Sequence, residues 1–104
     1  MSYNLQYYGI SGKEEAEAYL AHPVLGGRLR EITSAFLQLK DKSAQEVFGS
    51  LDAMKVLSCM TLFAGVSSDD LFQQVMNRYY QGEPDKTTKQ LLENNEKLLL
   101  WAVL

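Results

Sequence analysis

The feature that most constrains the fold is an amphipathic segment in the middle of the chain, Leu51–Val66. Its apolar residues recur at intervals of three and four, which is the period of one face of an α-helix. They are Ala53, Val56, Leu57, Met60, Phe63 and Ala64. A stripe this broad has to be buried against other elements, so the sequence predicts a domain organised around this central helix.

Turn and cap residues divide the rest of the chain. Ser11, Ser43 and Ser67 are each followed three residues later by an acid, and such pairs predict helix starts because the hydroxyl and the carboxylate can each accept from exposed backbone N–H groups. Pro23 ends one helix, and the Gly82–Pro84 segment ends another. The predicted helices are Lys13–Ala21, a second helix from Pro23 to about Leu39, Ala44–Phe48, Leu51–Val66, Asp69–Tyr80 and a last helix from about Asp85.

These elements predict an all-α fold, a single compact orthogonal multi-helical domain of five to six helices over residues 1–104. No segment has the alternation of a β-strand, and no hairpin signal is present. Residues 93–104, apolar from Leu98 onward, are expected to extend the last helix, with Asn95 inside its apolar stripe. Gly26 and Gly27 weaken the second helix locally but let a neighbouring backbone approach closely.

Composition excludes several functional classes. The formal charge is −3 and the ten basic residues are scattered, so nucleic acid is not an expected partner. The longest apolar run, Leu98–Leu104, is too short to span a bilayer, so no membrane partner is expected. Cys59 is the one cysteine, which rules out an internal disulfide and fits a reducing compartment. A cytoplasmic protein is therefore expected.

The usual chemical motifs are absent. There is no Gly-rich phosphate loop, no paired His or Cys at metal spacing and no Gly-x-Ser-x-Gly, so no metal, no cofactor and no catalytic residue is assigned. His22 could exchange a proton near neutral pH, but its place at a helix junction favours a cap. Cys59 lies one turn after Lys55 and is a possible reactive thiol, although a small core residue is the better supported interpretation.

The polar side of the central helix carries short groups. Ser58, Cys59 and Thr61 share it with Asp52 and Lys55, and two interpretations are open: a solvated face with a local ion pair, or a face that meets another helix or lines a cleft. The second predicts a ligand site, in which Arg28 and Lys55 would suit an anion. The candidate ligand-binding residues are His22, Arg28, Asp52, Lys55, Ser58 and Thr61.

Several of these residues lie in blocks that resemble a known family. The blocks Ala18–Gly26, Arg28–Glu31, Phe48–Ser50 and Ser58–Ala64 are similar to the signature of the domain of unknown function 1810 family, over about residues 8–92. The resemblance implies an all-helical fold and no established activity. Members are often labelled calpastatin-like, but calpastatins are disordered inhibitors, whereas this chain is patterned to fold.

One departure from the family pattern bears on any pocket. Members usually begin with an additional helical segment holding a Trp-rich block that ends in Phe-Pro-Gln, and this chain starts after it. If that block packs on the polar face of the central helix, half of the pocket is expected to be missing here. Glu96–Leu104 would then cover part of the surface, or a second copy or a separate polypeptide would share it.

Two hypotheses for function follow. The first is a non-enzymatic interaction module that forms a homo-oligomer, or binds a protein partner, through its apolar C-terminus. The second is a small-molecule-binding or enzymatic domain that takes an anionic ligand in a cleft at the polar face of the central helix. The absence of a catalytic constellation favours the first.

Overall fold

The computed structural model describes residues 7–39, 42–94 and 99–103, which form six helices and one two-stranded sheet. The helices are α1 (Lys13–Ala21), α2 (Leu25–Gln38), α3 (Ala44–Phe48), α4 (Ser50–Val66), α5 (Leu71–Tyr79) and α6 (Lys86–Glu93). The strands are β1 (Tyr7–Ser11) and β2 (Leu99–Val103), which pair antiparallel. The predicted all-α class with up to six helices is confirmed, and the small sheet is an addition to it.

Helix α4 lies at the centre, with α1, α3, α5, α6 and β2 packed around it. Five consecutive residues of this helix, from Cys59 to Phe63, are buried, so this stretch is enclosed on every side. Aromatic rings link it to its neighbours: the Phe63 ring centroid lies 5.6 Å from that of Tyr19 on α1 and 5.6 Å from that of Phe72 on α5. The polar side predicted for this helix is therefore covered by other helices along this stretch.

Local signals set some helix ends and not others. The predicted capping box at Ser43 is confirmed, because its Oγ accepts from the Glu46 N–H at 3.1 Å and the Glu46 carboxylate accepts from the Ser43 N–H at 3.4 Å. The predictions at Ser11 and Ser67 are wrong. Ser11 belongs to β1, and the N-cap of α1 is Gly12. Ser67 ends α4, and its Oγ accepts from the Asp69 N–H at 3.0 Å in the turn before α5.

The two neighbouring glycines of α2 have different surroundings. A Cβ at Gly26 would lie 2.0 Å from the Leu20 carbonyl oxygen, so the predicted close backbone approach is confirmed there. Arg30 Nη1 donates to the same oxygen at 3.2 Å, which ties the end of α1 to α2. A Cβ at Gly27 would meet nothing within 4 Å.

The C-terminal region departs from the predicted helix. Helix α6 ends at Glu93, and Leu99–Val103 is a strand that pairs with Tyr7–Ser11. The helical extension predicted over 93–104 is therefore wrong at Leu99–Val103, and the expected absence of strands is wrong as well. A short run of apolar residues fits a strand as well as a helix, and here an antiparallel partner decides. Asn95, for which a place in the helix was predicted, lies outside the described residues.

Candidate functional site

A pocket of about 460 Å³ opens between α4, α5 and α6. Most of its described wall is apolar or without a side chain: Ala64 and Gly65 come from α4, Met76 from α5, Leu92 from α6, and Gly82 and Pro84 from the α5–α6 connection. The Gly-Pro break that the sequence predicts thus forms part of a cavity wall. The pocket is a site where three packed helices leave space that an apolar group could fill.

Polar and charged groups form the rest of the described lining. Thr61 lies on α4, Gln73 on α5, and Lys89 and Glu93 on α6, while Lys13 is the first residue of α1. The two lysines therefore come from elements far apart in the chain. Among these lining residues positive charge exceeds negative by one, although the whole chain carries −3.

A hydrogen-bond network fixes α6 against α4 beside this pocket. The Asp85 side chain caps α6, since its Oδ2 accepts from the Thr88 N–H at 3.0 Å and from the Thr88 hydroxyl at 2.6 Å. Thr88 donates its one hydroxyl hydrogen to Asp85. In the 2.8 Å hydrogen bond between Ser58 Oγ and Thr88 Oγ1, Ser58 is therefore the donor. The network joins the first turn of α6 to the middle of α4.

Thr61 provides the second link of the network and also lines the pocket. Its Oγ1 donates to the Leu57 carbonyl oxygen at 2.7 Å and accepts from the Asp85 N–H at 2.9 Å. The hydroxyl hydrogen is thus already engaged, so Thr61 has an acceptor lone pair but no donor left for a ligand. Its role is to position the start of α6.

The network gives a stability prediction. Replacing Thr88 by Val keeps its shape but removes the hydroxyl that bonds Asp85 and Ser58, in a side chain that is 1% exposed. We expect the free energy of unfolding to fall by about 2 kcal/mol in urea titrations. The matched control is Thr87→Val, because Thr87 is exposed on the same turn and should change stability by less than about 0.5 kcal/mol. Equal effects at both positions would show that the network contributes nothing.

The structure separates the residues predicted to bind a ligand. His22 follows α1, and its Nδ1 accepts from the N–H groups of Val24 and Leu25 at 3.1 Å each, so the predicted cap is confirmed. Arg28 is exposed on α2, a helix that packs on α1 and α5. Neither residue belongs to the described lining of the pocket.

The predicted residues of the central helix divide as well. Asp52 and Lys55 lie in the first half of α4, away from the described lining, where Asp52 is half-buried and Lys55 exposed. Ser58 and Thr61 meet α6, which agrees with the interpretation of a face that contacts another helix. Cys59 is fully buried, which favours the core interpretation over a reactive thiol. Of the six predicted residues, all in the described part of the chain, Thr61 alone lines the pocket.

Sequence reasoning missed the charged residues of the pocket. Lys13 and Lys89 carry no motif, and only the packing of α1 and α6 on α4 brings them to one cavity. The Gly82–Pro84 break is the sequence feature that could have indicated the pocket. It connects two helices that both pack on α4, and a cavity can remain where the three helices meet.

The described residues form no metal-binding cluster and no membrane-spanning helix. In residues 7–39, 42–94 and 99–103, no group of three or more His, Cys, Asp and Glu side chains is placed to hold a metal ion. Among the described helices, none combines the length and the hydropathy that a transmembrane span requires. The pocket itself offers cationic and apolar contacts.

Fold and pocket together define a small all-α domain with a cavity between three helices. The family model described as "Protein of unknown function (DUF1810)" matches residues 1–92, and the chain belongs to that family. A solved structure, that of the conserved hypothetical protein Rv1873 from Mycobacterium tuberculosis, is 42% identical with a TM-score of 0.79. The similarity covers 81% of this chain and 61% of that protein, so the chain spans less than two thirds of that protein's length. No curated protein matches the chain.

Proposed function

We propose that the protein is a small-molecule-binding domain whose site is the pocket between α4, α5 and α6. The observation that carries the proposal is the combination of volume and lining. About 460 Å³ is within the size range of ligand sites, and such sites join mainly apolar walls to a few polar groups. A ligand-binding domain was one of the two functions predicted from the sequence, and we now place its site on the α6 side of the central helix.

The test uses N-phenyl-1-naphthylamine, a neutral dye whose fluorescence rises in apolar surroundings. Gly65→Leu places a side chain at the pocket wall, where a Cβ would meet only the flexible end of Leu92, at 2.9 Å. We expect saturable binding to the unmodified protein and an affinity lower by about tenfold or more in the variant, because the new side chain fills the cavity.

Gly27→Leu is the matched control, since Gly27 is an exposed helical glycine with open space around its Cβ position. It should bind the dye as the unmodified protein does. Ala64→Leu, on the same pocket wall, provides a second variant if Gly65→Leu does not fold. Absence of saturable binding, or equal binding by the folded pocket variants and the control, would contradict the proposal.

A second candidate function is a self-associating interaction module in the cytoplasm. Leu51 and Met54 are 76% and 71% exposed and lie three residues apart, hence on one side of α4. The backbone of Leu99–Val103 already pairs within the chain, so we place the proposed contact between copies at Leu51 and Met54 instead of at the C-terminus.

Sedimentation velocity over a wide concentration range tests this candidate. We expect a homo-oligomer that the double variant Leu51→Ser and Met54→Ser converts to a monomer, because the exposed apolar area is removed. A strict monomer at high concentration of the unmodified protein would contradict it.

A further inference from the structure

The charges at the pocket indicate a ligand class, provided that the pocket is the binding site proposed above. We infer that it selects an amphiphilic anion, a compact apolar body that carries one carboxylate, sulfonate or phosphate group. Three properties of the lining support this: two lysines from separate elements, an apolar wall that includes Met76, Pro84 and Leu92, and few free neutral donors.

The lysines supply the anion contact. Lys13 begins α1 and Lys89 lies in the middle of α6, so the two lysines line the pocket from different helices. Both residues are exposed, which lets each long apolar stem lie along the wall while its charge stays hydrated at the rim. Glu93 lies one turn after Lys89, in the order that pairs less favourably along a helix. Positive charge therefore prevails at the rim.

The wall supplies the contact for the apolar body. Met76 is 2% exposed and forms an adaptable apolar surface beside Leu92 and Pro84. At Gly65 the end of the Leu92 side chain lies 2.9 Å from where a Cβ would stand, so Leu92 forms the apolar surface over this glycine.

The neutral polar groups argue against an uncharged polar ligand such as a sugar. The Thr61 hydroxyl donates to the Leu57 carbonyl oxygen, and Gln73 Nε2 donates to Asn77 Oδ1 at 3.0 Å. A sugar needs several donors and acceptors from side chains, and after these bonds Thr61 has no donor left and Gln73 has one amide N–H and its carbonyl oxygen. The lysines are then the main donors of the described lining, and an anion is the group that best accepts from them.

A pair of dyes separates the charge from the apolar body. The anionic dye 1-anilinonaphthalene-8-sulfonate has the aromatic body of neutral N-phenyl-1-naphthylamine plus a sulfonate. In the double variant Lys13→Met and Lys89→Met we expect the affinity for the anionic dye to fall by about tenfold and that for the neutral dye to change by less than about twofold. Added salt should weaken binding of the anionic dye to the unmodified protein and have little effect in the variant.

The control is Lys86→Met, because Lys86 is an exposed lysine of α6 outside the described lining. It should leave both affinities unchanged. An unchanged affinity for the anionic dye in the double variant, equal losses for both dyes, or the same loss in the control would overturn the inference. Those outcomes leave the proposed function standing as long as Gly65→Leu still excludes the neutral dye, and failure of that exclusion overturns the proposed function itself.

Discussion

Gly26→Ala is expected to lower the free energy of unfolding by about 3 kcal/mol or more in urea titrations. The added Cβ would lie 2.0 Å from the Leu20 carbonyl oxygen and 2.8 Å from its carbon, both backbone atoms that cannot turn aside as a side chain can. Relief requires α2 to move away from the end of α1, and that movement also stretches the bond from Arg30 Nη1 to the same oxygen. A close-packed interior transmits such a shift instead of absorbing it.

Gly27→Ala is the matched control for this prediction. Gly27 lies in the same helix, is exposed, and has no atom within 4 Å of its Cβ position. Alanine there should raise the free energy of unfolding by about 0.5–1 kcal/mol, because it restricts the unfolded chain without strain. Two neighbouring glycines should thus respond with opposite sign. If Gly26→Ala lowers the free energy of unfolding by no more than an ordinary surface substitution does, α1 and α2 are not in contact there.

Phe63→Ala is expected to lower the free energy of unfolding by about 3–5 kcal/mol. Phe63 is fully buried on α4, and its ring centroid lies 5.6 Å from that of Tyr19 and 5.6 Å from that of Phe72. Truncation leaves a cavity where α1, α4 and α5 meet, and three helices cannot all collapse into it. Thermal and urea unfolding measure the loss.

Met54→Ala provides the comparison on the same helix. Its side chain is 71% exposed, so truncation should change the free energy of unfolding by less than about 0.5 kcal/mol. Similar effects of Phe63→Ala and Met54→Ala would contradict the placement of the core on the inner side of α4.

The helices were predictable where a local signal fixes their ends. Lys13–Ala21 and Ala44–Phe48 match the prediction residue for residue, because Pro23 stops the first and a capping box starts the second. The C-terminal strand was not predictable in this way. Leu98–Leu104 has no polar residue, so its pattern cannot distinguish the period of a strand from that of a helix. Leu99–Val103 is a strand because it pairs with Tyr7–Ser11, at the other end of the described chain.

The candidate site was predictable only in part, for a similar reason. Two interpretations of the short polar groups on the central helix were open, and the contacts of Ser58 and Thr61 with the α6 region agree with the one that predicts a helix contact. Nothing in the sequence indicates that Lys13 and Lys89 meet at one pocket, since that depends on how α1 and α6 are oriented on α4. Helical periodicity predicts which side of its helix a residue lies on, but it does not predict which other elements pack against that side.

The pairing of β1 with β2 also determines how the molecule responds to mechanical load. Tyr7 pairs with Val103 at one end of the ribbon, and Ser11 pairs with Leu99 at the other. A force that pulls Tyr7 and Val103 apart acts across the ladder, so its hydrogen bonds break one after another instead of together in shear. Under tension the ribbon should therefore unzip at low force, from the Tyr7–Val103 pair inward, before the load reaches α1 and the helical core.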